Sequence, residues 1–321
     1  MNDKSMNLNP NLAAAVPVFN AEPTVTATTA ASAAAAAQKA REAALKKRID
    51  EINFQYDDLK SIATKPISDE RKAAADAAEA ESNRLQAIID ANPDSIEAQM
   101  ARLQIENLNR SLLVLFKNLD TLAYQNSLKL DAAKNAEIRQ AEVASSPAAA
   151  NQKTAGMLAK FFGGKSRDLR GDLNRSLRDI PARVSSERDA YEAGVKAVSR
   201  PAADLLGRIK MINRNMTIDT PESLNSIKDD IDCLPADFDK LSKAADGLTE
   251  RGDALLKIDE QMRKSISTDN LPPDVSPETH AAIAAALQKA FARIGEMIAR
   301  LFGRAPAPIV VETYQGPGGV I

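Results

Sequence analysis

Tryptophan is absent from the chain, and cysteine and histidine occur once each, as Cys233 and His280. A single thiol cannot close an internal disulfide, and one cysteine with one histidine cannot supply the ligands of a Cys/His zinc site. Aromatic residues make up only 4% of the 321 positions although hydrophobic residues make up 44%. Alanine fills much of that gap, so any core is thin and built mostly from Leu, Ile and Ala, a composition that suits long packed helices. No run approaches the roughly 20 uncharged apolar residues that a membrane-spanning helix needs. The first 30 residues are rich in Asn, Thr, Ala and Pro, lack a continuous apolar segment, and so read as a disordered arm and not as a secretory signal.

The net charge of −2 hides an asymmetry. Lys153 to Arg183 holds eight basic residues against Asp168, Asp172 and Asp179, whereas Thr217 to Glu260 holds five basic residues against twelve acidic ones. The two stretches are expected either to meet or to stand as separate solvated faces.

Helical periodicity begins near Ala30. Leu45, Ile49, Ile52, Tyr56, Leu59 and Ala63 share one stripe, and the spacing predicts a helix that ends before Lys65-Pro66. Ser68 then caps a second, alanine-rich helix with Ala74, Ala78, Leu85, Ile88 and Ile89 inward, and Asn92-Pro93 starts a third. The third carries the clearest pattern: Ala101, Ile105, Leu108, Leu112, Leu115, Leu119 and Leu122 step by fours and threes, and Asn126 is next on the stripe. A buried Asn there would fix the register of a coiled coil, and a wet one would mark the end of the core.

The expected fold is therefore all-α: a disordered arm over 1–30, an antiparallel three-helix coiled coil over 31–145, and a smaller helical bundle over 151–268. An amphipathic C-terminal helix over 277–303 and a flexible tail over 304–321 complete it. Within 151–268, helices are expected at about 151–162, 166–179, 182–213, 221–231 and 236–266. Ser276-Pro277-Glu278 repeats the cap-then-proline start.

Ala159 to Ser166 satisfies a relaxed phosphate-loop pattern, ending in Gly164-Lys165-Ser166. A phosphate loop requires a buried strand before it, and the preceding Asn151 to Lys160 reads as an amphipathic helix. Gly163 and Gly164 are better read as a helix end, because Met157-Leu-Ala-Lys-Phe-Phe-Gly163 has a near twin in Met297-Ile-Ala-Arg-Leu-Phe-Gly303 that lacks Gly-Lys-Ser. Both twins place large apolar groups beside Lys or Arg; such faces are expected to pack into the protein's own helical core, or else suit a groove on a partner protein or a membrane surface. Of the two, the C-terminal one is expected to be exposed. His280 reads as a solvated first-turn residue and Cys233 as a small buried hydrophobe. Acidic residues interleaved with Arg167, Arg170, Arg175 and Arg178 argue against nucleic-acid binding.

These observations point to a non-enzymatic interaction or structural protein that binds no cofactor or metal. Its partner-binding residues are expected to be Leu108, Leu112, Leu115, Leu119, Leu122 and Asn126 on the third helix, and Phe291, Ile294, Ile298, Leu301 and Phe302 on the last. The expected partners are another protein or a second copy of the chain; a membrane surface met by residues 283–302 is the alternative, followed by nucleotide binding through Ala159 to Ser166. In outline the chain is similar to bacterial proteins exported by type III and related machines, which pair a polar N-terminus with a helical body. That resemblance is one of composition, without a motif; it implies a cytoplasmic protein exported without a cleaved signal, and it fits cytoplasmic scaffolds and phage structural proteins equally.

Overall fold

The computed structural model describes residues 24–146, 154–217 and 221–303. Every regular element among them is helical: α1 (Thr24–Ala91), α2 (Ile96–Ser145), α3 (Thr154–Met216), α4 (Pro221–Ala244), α5 (Arg251–Ser265) and α6 (Pro277–Phe302), with one 3₁₀ turn at Thr268–Asn270. The expected arm up to residue 23, the small-residue break at 147–153 and the expected tail over 304–321 lie outside the described residues. Residues 24–30, placed in the arm by composition, are helical.

The all-α expectation holds, but the helices are fewer and longer. Pro66 lies inside α1, Pro181 and Pro201 inside α3, and Pro235 inside α4. An interior proline forfeits one backbone hydrogen bond and costs about 3 kcal/mol. Here each one falls between two buried positions of an unbroken stripe: Ala63 and Ile67, Ile180 and Val184, Val198 and Ala202, Leu234 and Phe238. Ending the helix would put the next buried group out of phase, and a buried Leu or Ile contributes about 1.5–3 kcal/mol. The expected break at Pro66 is thus absent, and the expected three-helix hairpin over 31–145 is two helices.

Along α1 the buried residues are Ile52, Tyr56, Ala63, Ile67, Ala74, Ala78, Leu85 and Ile89. Ile52, Ala63, Ala74 and Leu85 recur every 11 residues, as do Tyr56, Ile67, Ala78 and Ile89. An 11-residue period, about 3.67 residues per turn, lies close to an undistorted helix and departs from the heptad suggested by the sequence.

Among the described residues the chain divides into two compact units, to both of which α1, α2 and α3 contribute. One comprises the residues up to Tyr56 with Lys134–Asp168; the other comprises Asp57–Ala133 and the residues from Leu169 on. In the first, the Tyr56 hydroxyl donates to the Glu137 carboxylate of α2 at 2.8 Å.

In the second, the contacts set the helix directions. Arg71 pairs with Asp120 while Leu85 packs against Ala101, so α1 and α2 are antiparallel. Asn107 Nδ2 donates to the Gly194 carbonyl at 2.6 Å, Asn118 Nδ2 to Glu187 at 2.7 Å and Lys129 Nζ to Ser176 Oγ at 2.9 Å, so α2 and α3 are antiparallel too. α2 and α3 approach closely here: a Cβ on Gly194 would lie 2.8 Å from Ser111 Oγ and would turn that hydroxyl aside. α2 starts one turn later than Asn92-Pro93 suggests: Ser95 Oγ accepts from the Ala98 N–H at 3.0 Å and is the cap.

The main core of this unit joins Ile96, Met100 and Leu103 of α2 to the second half of α3 and to α4, α5 and α6. The helix expected over 236–266 is interrupted where Gly247 takes a φ of 79° between α4 and α5. α6 starts as expected, with Ser276 Oγ accepting from the Thr279 N–H at 3.2 Å, and ends at Gly303 with a φ of 63°.

Candidate interaction surface

The third-helix residues nominated from sequence lie inside the fold. Leu108, Leu115, Leu119 and Leu122 are buried, and Leu112 is half-buried. Asn126 is 3% exposed, which removes the reading in which the core ends before it. Its Oδ1 accepts from Ser176 Oγ at 3.2 Å, and Lys129 Nζ donates to the same hydroxyl. The hydrogen bond between Asn126 and Ser176 thus ties α2 to α3 within one chain. Its Nδ2 is buried without a hydrogen-bond acceptor.

The terminal helix takes the core alternative and not the exposed one. Ile283, Leu287, Ala290, Phe291, Ile294 and Ile298 are buried in the main core, Phe302 packs against it, and of the residues nominated on this helix only Leu301 is exposed. The apolar face of α6 is therefore a core face, and the membrane reading of residues 283–302 loses the surface it needed. Arg263 holds this helix against α5: its Nη2 donates to the Phe291 carbonyl at 2.9 Å, its guanidinium stacks on the Phe291 ring at 4.7 Å, and its Nε donates to Asp259 at 2.9 Å. The sequence twin behaves oppositely, since Met157, Leu158 and Phe161 near the start of α3 are exposed.

What the third helix does offer is a second apolar stripe on its outer side. Leu113 is 69% exposed, Val114 54%, Tyr124 65% and Leu128 51%. Leu113 and Tyr124 are 11 residues apart, and Lys117 and Leu128 likewise, so this outer stripe follows the same period as the buried one. Helical geometry turns positions 113, 117, 120, 121, 124 and 128 away from the Leu108, Leu115, Leu119 and Leu122 stripe. Arg71 of α1 crosses beside it, pairing with Asp120 and stacking on the Phe116 ring at 4.5 Å. Arg71, Leu113, Phe116, Lys117, Asp120, Thr121 and Tyr124 line a shallow groove of about 580 Å³. Periodicity could have found this stripe, but the stronger Leu108 to Leu122 pattern on the same helix masks it.

Charge is organised locally. Asp237 on α4 is 3% exposed, with Oδ2 2.5 Å from Arg208 Nε and Oδ1 2.8 Å from Lys240 Nζ. Arg208 also reaches Asp230 at 2.9 Å. Burial pushes the Asp237 carboxyl up, and the hydrogen bonds from Lys240 and Arg208 outweigh it, holding the group below the ordinary aspartate range. Asp259 lies above that range because burial dominates its bond to Arg263. Much of the acidic stretch is thus met by cations on α3, α4 and α5 themselves, as in Asp239 with Lys243 and Asp246 with Arg251.

Ala159 to Ser166 lies within α3, and neither Gly163 nor Gly164 has a positive φ, so the helix end expected there is absent. Two mid-helix glycines cost about 1 kcal/mol each, which the buried stripe through Ser166 and Leu173 offsets. The amide N–H groups of the segment run along a helix interior, not around a phosphate-sized turn. Cys233 is exposed, contrary to expectation, because Ile227, Ile231, Leu234 and Phe238 carry the inner face of α4. His280 is half-buried and partnered. Among the described residues no group of three His, Cys, Asp or Glu side chains is placed to hold a metal ion, and no helix is long and apolar enough to cross a membrane. Comparison with protein families, with curated proteins and with solved structures finds no match to this chain.

Proposed function

We propose that the chain is a non-enzymatic helical interaction protein that works by presenting the outer side of α2 to another protein. One observation carries this reading: Leu113, Val114, Tyr124 and Leu128 are large, apolar and at least half exposed on a helix whose other stripe, through Leu108, Leu115, Leu119 and Leu122, is buried. Single exposed apolar residues are ordinary on protein surfaces, but a row at helical spacing beside a groove is the form in which one helix offers itself to another. A photo-crosslinking residue in place of Tyr124, introduced in the producing cell, is expected to capture protein. Capture no greater than from the exposed position Lys72 refutes the reading.

A second reading has an observation of its own. Met157, Leu158 and Phe161 are exposed on α3 beside Lys160 and Lys165, a combination suited to an anionic bilayer surface. Salt-sensitive sedimentation with phosphatidylserine vesicles, lost on Phe161→Ser, is the expected result; equal recovery with and without vesicles rejects it.

A further inference from the structure

The outer face of α2 is covered at one end and open at the other. Glu106, Arg110, Leu113, Lys117, Asp120 and Tyr124 step by fours and threes, so all of them share one face of the helix. At its start that face meets the turn between α4 and α5: the Glu106 carboxylate accepts from the N–H groups of Thr249 and Glu250, and Arg110 Nη1 donates to the Asp246 carbonyl at 3.1 Å. From Leu113 to Tyr124 the face is exposed. α6 ends beside the covered part. Its Phe302 ring lies against Gly252, where a Cβ would be 3.0 Å from Cε1, and Gly252 comes three residues after Thr249. The chain therefore leaves the helices at Gly303 next to the α4–α5 turn, and Leu113 is only seven residues, about 10 Å, farther along α2 than Glu106.

Residues 304–321 continue from that point. The six steps from Gly303 to Ile309 can cover about 20 Å, which brings the apolar run Ile309-Val310-Val311 within reach of Leu113. The segment holds two charged residues, Arg304 and Glu312. On the α2 face Asp120 is already paired with Arg71, whereas Lys117 has no ion-pair partner among the described residues. We infer that residues 309–314 dock on the Leu113 to Tyr124 face of their own chain, and that another protein must displace them to use it. The inference rests on the interaction reading above and supplies its regulation. Side chains alternate along an extended segment, so Val310, Glu312 and Tyr314 turn to α2 together, about 7 Å apart. Val310 then packs on Leu113, Glu312 meets Lys117, and the Tyr314 ring covers Thr121 and Tyr124. Backbone groups of such a segment find no ladder on a helix and stay hydrated, which keeps the contact weak. Tethering at Gly303 offsets this by holding the segment at an effective concentration on the order of 1 mM.

The test uses the full chain with Cys233→Ser as background and follows the maleimide reaction of Thr121→Cys, which lies under the docked segment. Val310→Ser with Tyr314→Ser should raise the rate at least threefold and leave the rate of Lys72→Cys, exposed on α1, unchanged. Glu312→Lys should raise it too, and adding Lys117→Glu should restore the protection. Protection should be equal at low and high protein concentration, as a contact within one chain requires. A rate at Thr121→Cys that ignores the tail substitutions overturns the proposal, as do an equal rise at Lys72→Cys and protection that grows with concentration. In the producing cell, a photo-crosslinking residue at Tyr124 should capture more protein once Val310 and Tyr314 are serine. Tail-insensitive labelling with capture intact sinks the tail contact and leaves the interaction reading standing; tail-dependent protection without capture from either chain keeps the contact and removes the interaction reading.

Discussion

Asp237→Ala tests whether the ion-pair node between α3 and α4 holds the larger core together. The substitution removes a buried carboxylate that accepts from Arg208 at 2.5 Å and from Lys240 at 2.8 Å. A hydrogen bond to a charged group is worth about 1.5–3 kcal/mol. The Lys240 arm is screened by solvent, and Arg208 keeps Asp230, so the loss is set mainly by the Arg208–Asp237 bond, at about 2 kcal/mol. Native-state amide exchange reads this as local opening: the buried amides of Leu205, Ile231 and Phe238 should exchange about 30-fold faster. Less than a threefold change would refute the reasoning. The pH dependence gives an independent check. Because the folded carboxyl is held below its ordinary range, the unfolded chain takes up the proton first as pH falls. The stabilisation is therefore complete above an unfolded pKa of about 3.9 and is lost as pH drops further through the folded value. Asp237→Asn should flatten the stability profile below about pH 4 and leave its slope at neutral pH unchanged.

Asp259 carries the opposite sign: its raised pKa means that the folded protein takes up the proton first, so acidification from neutral pH relieves a cost, and Asp259→Asn should remove that gain in a pH series of urea melts. Leu119→Ala, at a fully buried position of α2, should cost about 2–5 kcal/mol, whereas Leu113→Ala on the outer stripe should stay within about 0.5 kcal/mol, measured by urea denaturation at micromolar protein or below. Gly247→Ala should cost about 1–2 kcal/mol, because the φ of 79° strains any side chain, and a Cβ would also lie 2.7 Å from Arg110 Nη1; a neutral thermal shift would contradict this.

The features legible in the sequence were those set by local chemistry. Ser276-Pro277 and Gly303 bound α6 where capping and φ preferences place them, and the stripes through Ala74, Ala78, Leu85 and Ile89 are buried as spacing predicts. The breaks that the sequence suggested and the structure lacks came from residues whose local preference is overridden by packing. Pro66, Pro181 and Pro235 read as breaks, and Gly163-Gly164 as a helix end, yet each lies within a helix held by buried residues on both sides. Such a penalty is about 1–3 kcal/mol and is visible in one residue, while the compensation is spread over several turns and over partner helices distant in sequence. The Arg208 node could not be read at all, because Arg208 on α3 and Asp237 on α4 are 29 residues apart.

The same logic explains why most residues nominated for partner contact lie in the core. Periodicity reports that a face is apolar, not whether the covering atoms belong to the same chain. In a protein with three long helices, the face with the most regular Leu spacing is the one its own helices can cover best, and Leu108, Leu115, Leu119 and Leu122 are buried accordingly. The apolar faces of α6 and α2 therefore went to the core by virtue of the strength that made them conspicuous. A face kept for another molecule must remain soluble when empty, which favours a diluted pattern in which Lys117, Asp120 and Thr121 separate Leu113 from Tyr124 and Leu128. In a helical chain of this kind the weaker second stripe on a helix whose first stripe is buried is the better place to look for a partner.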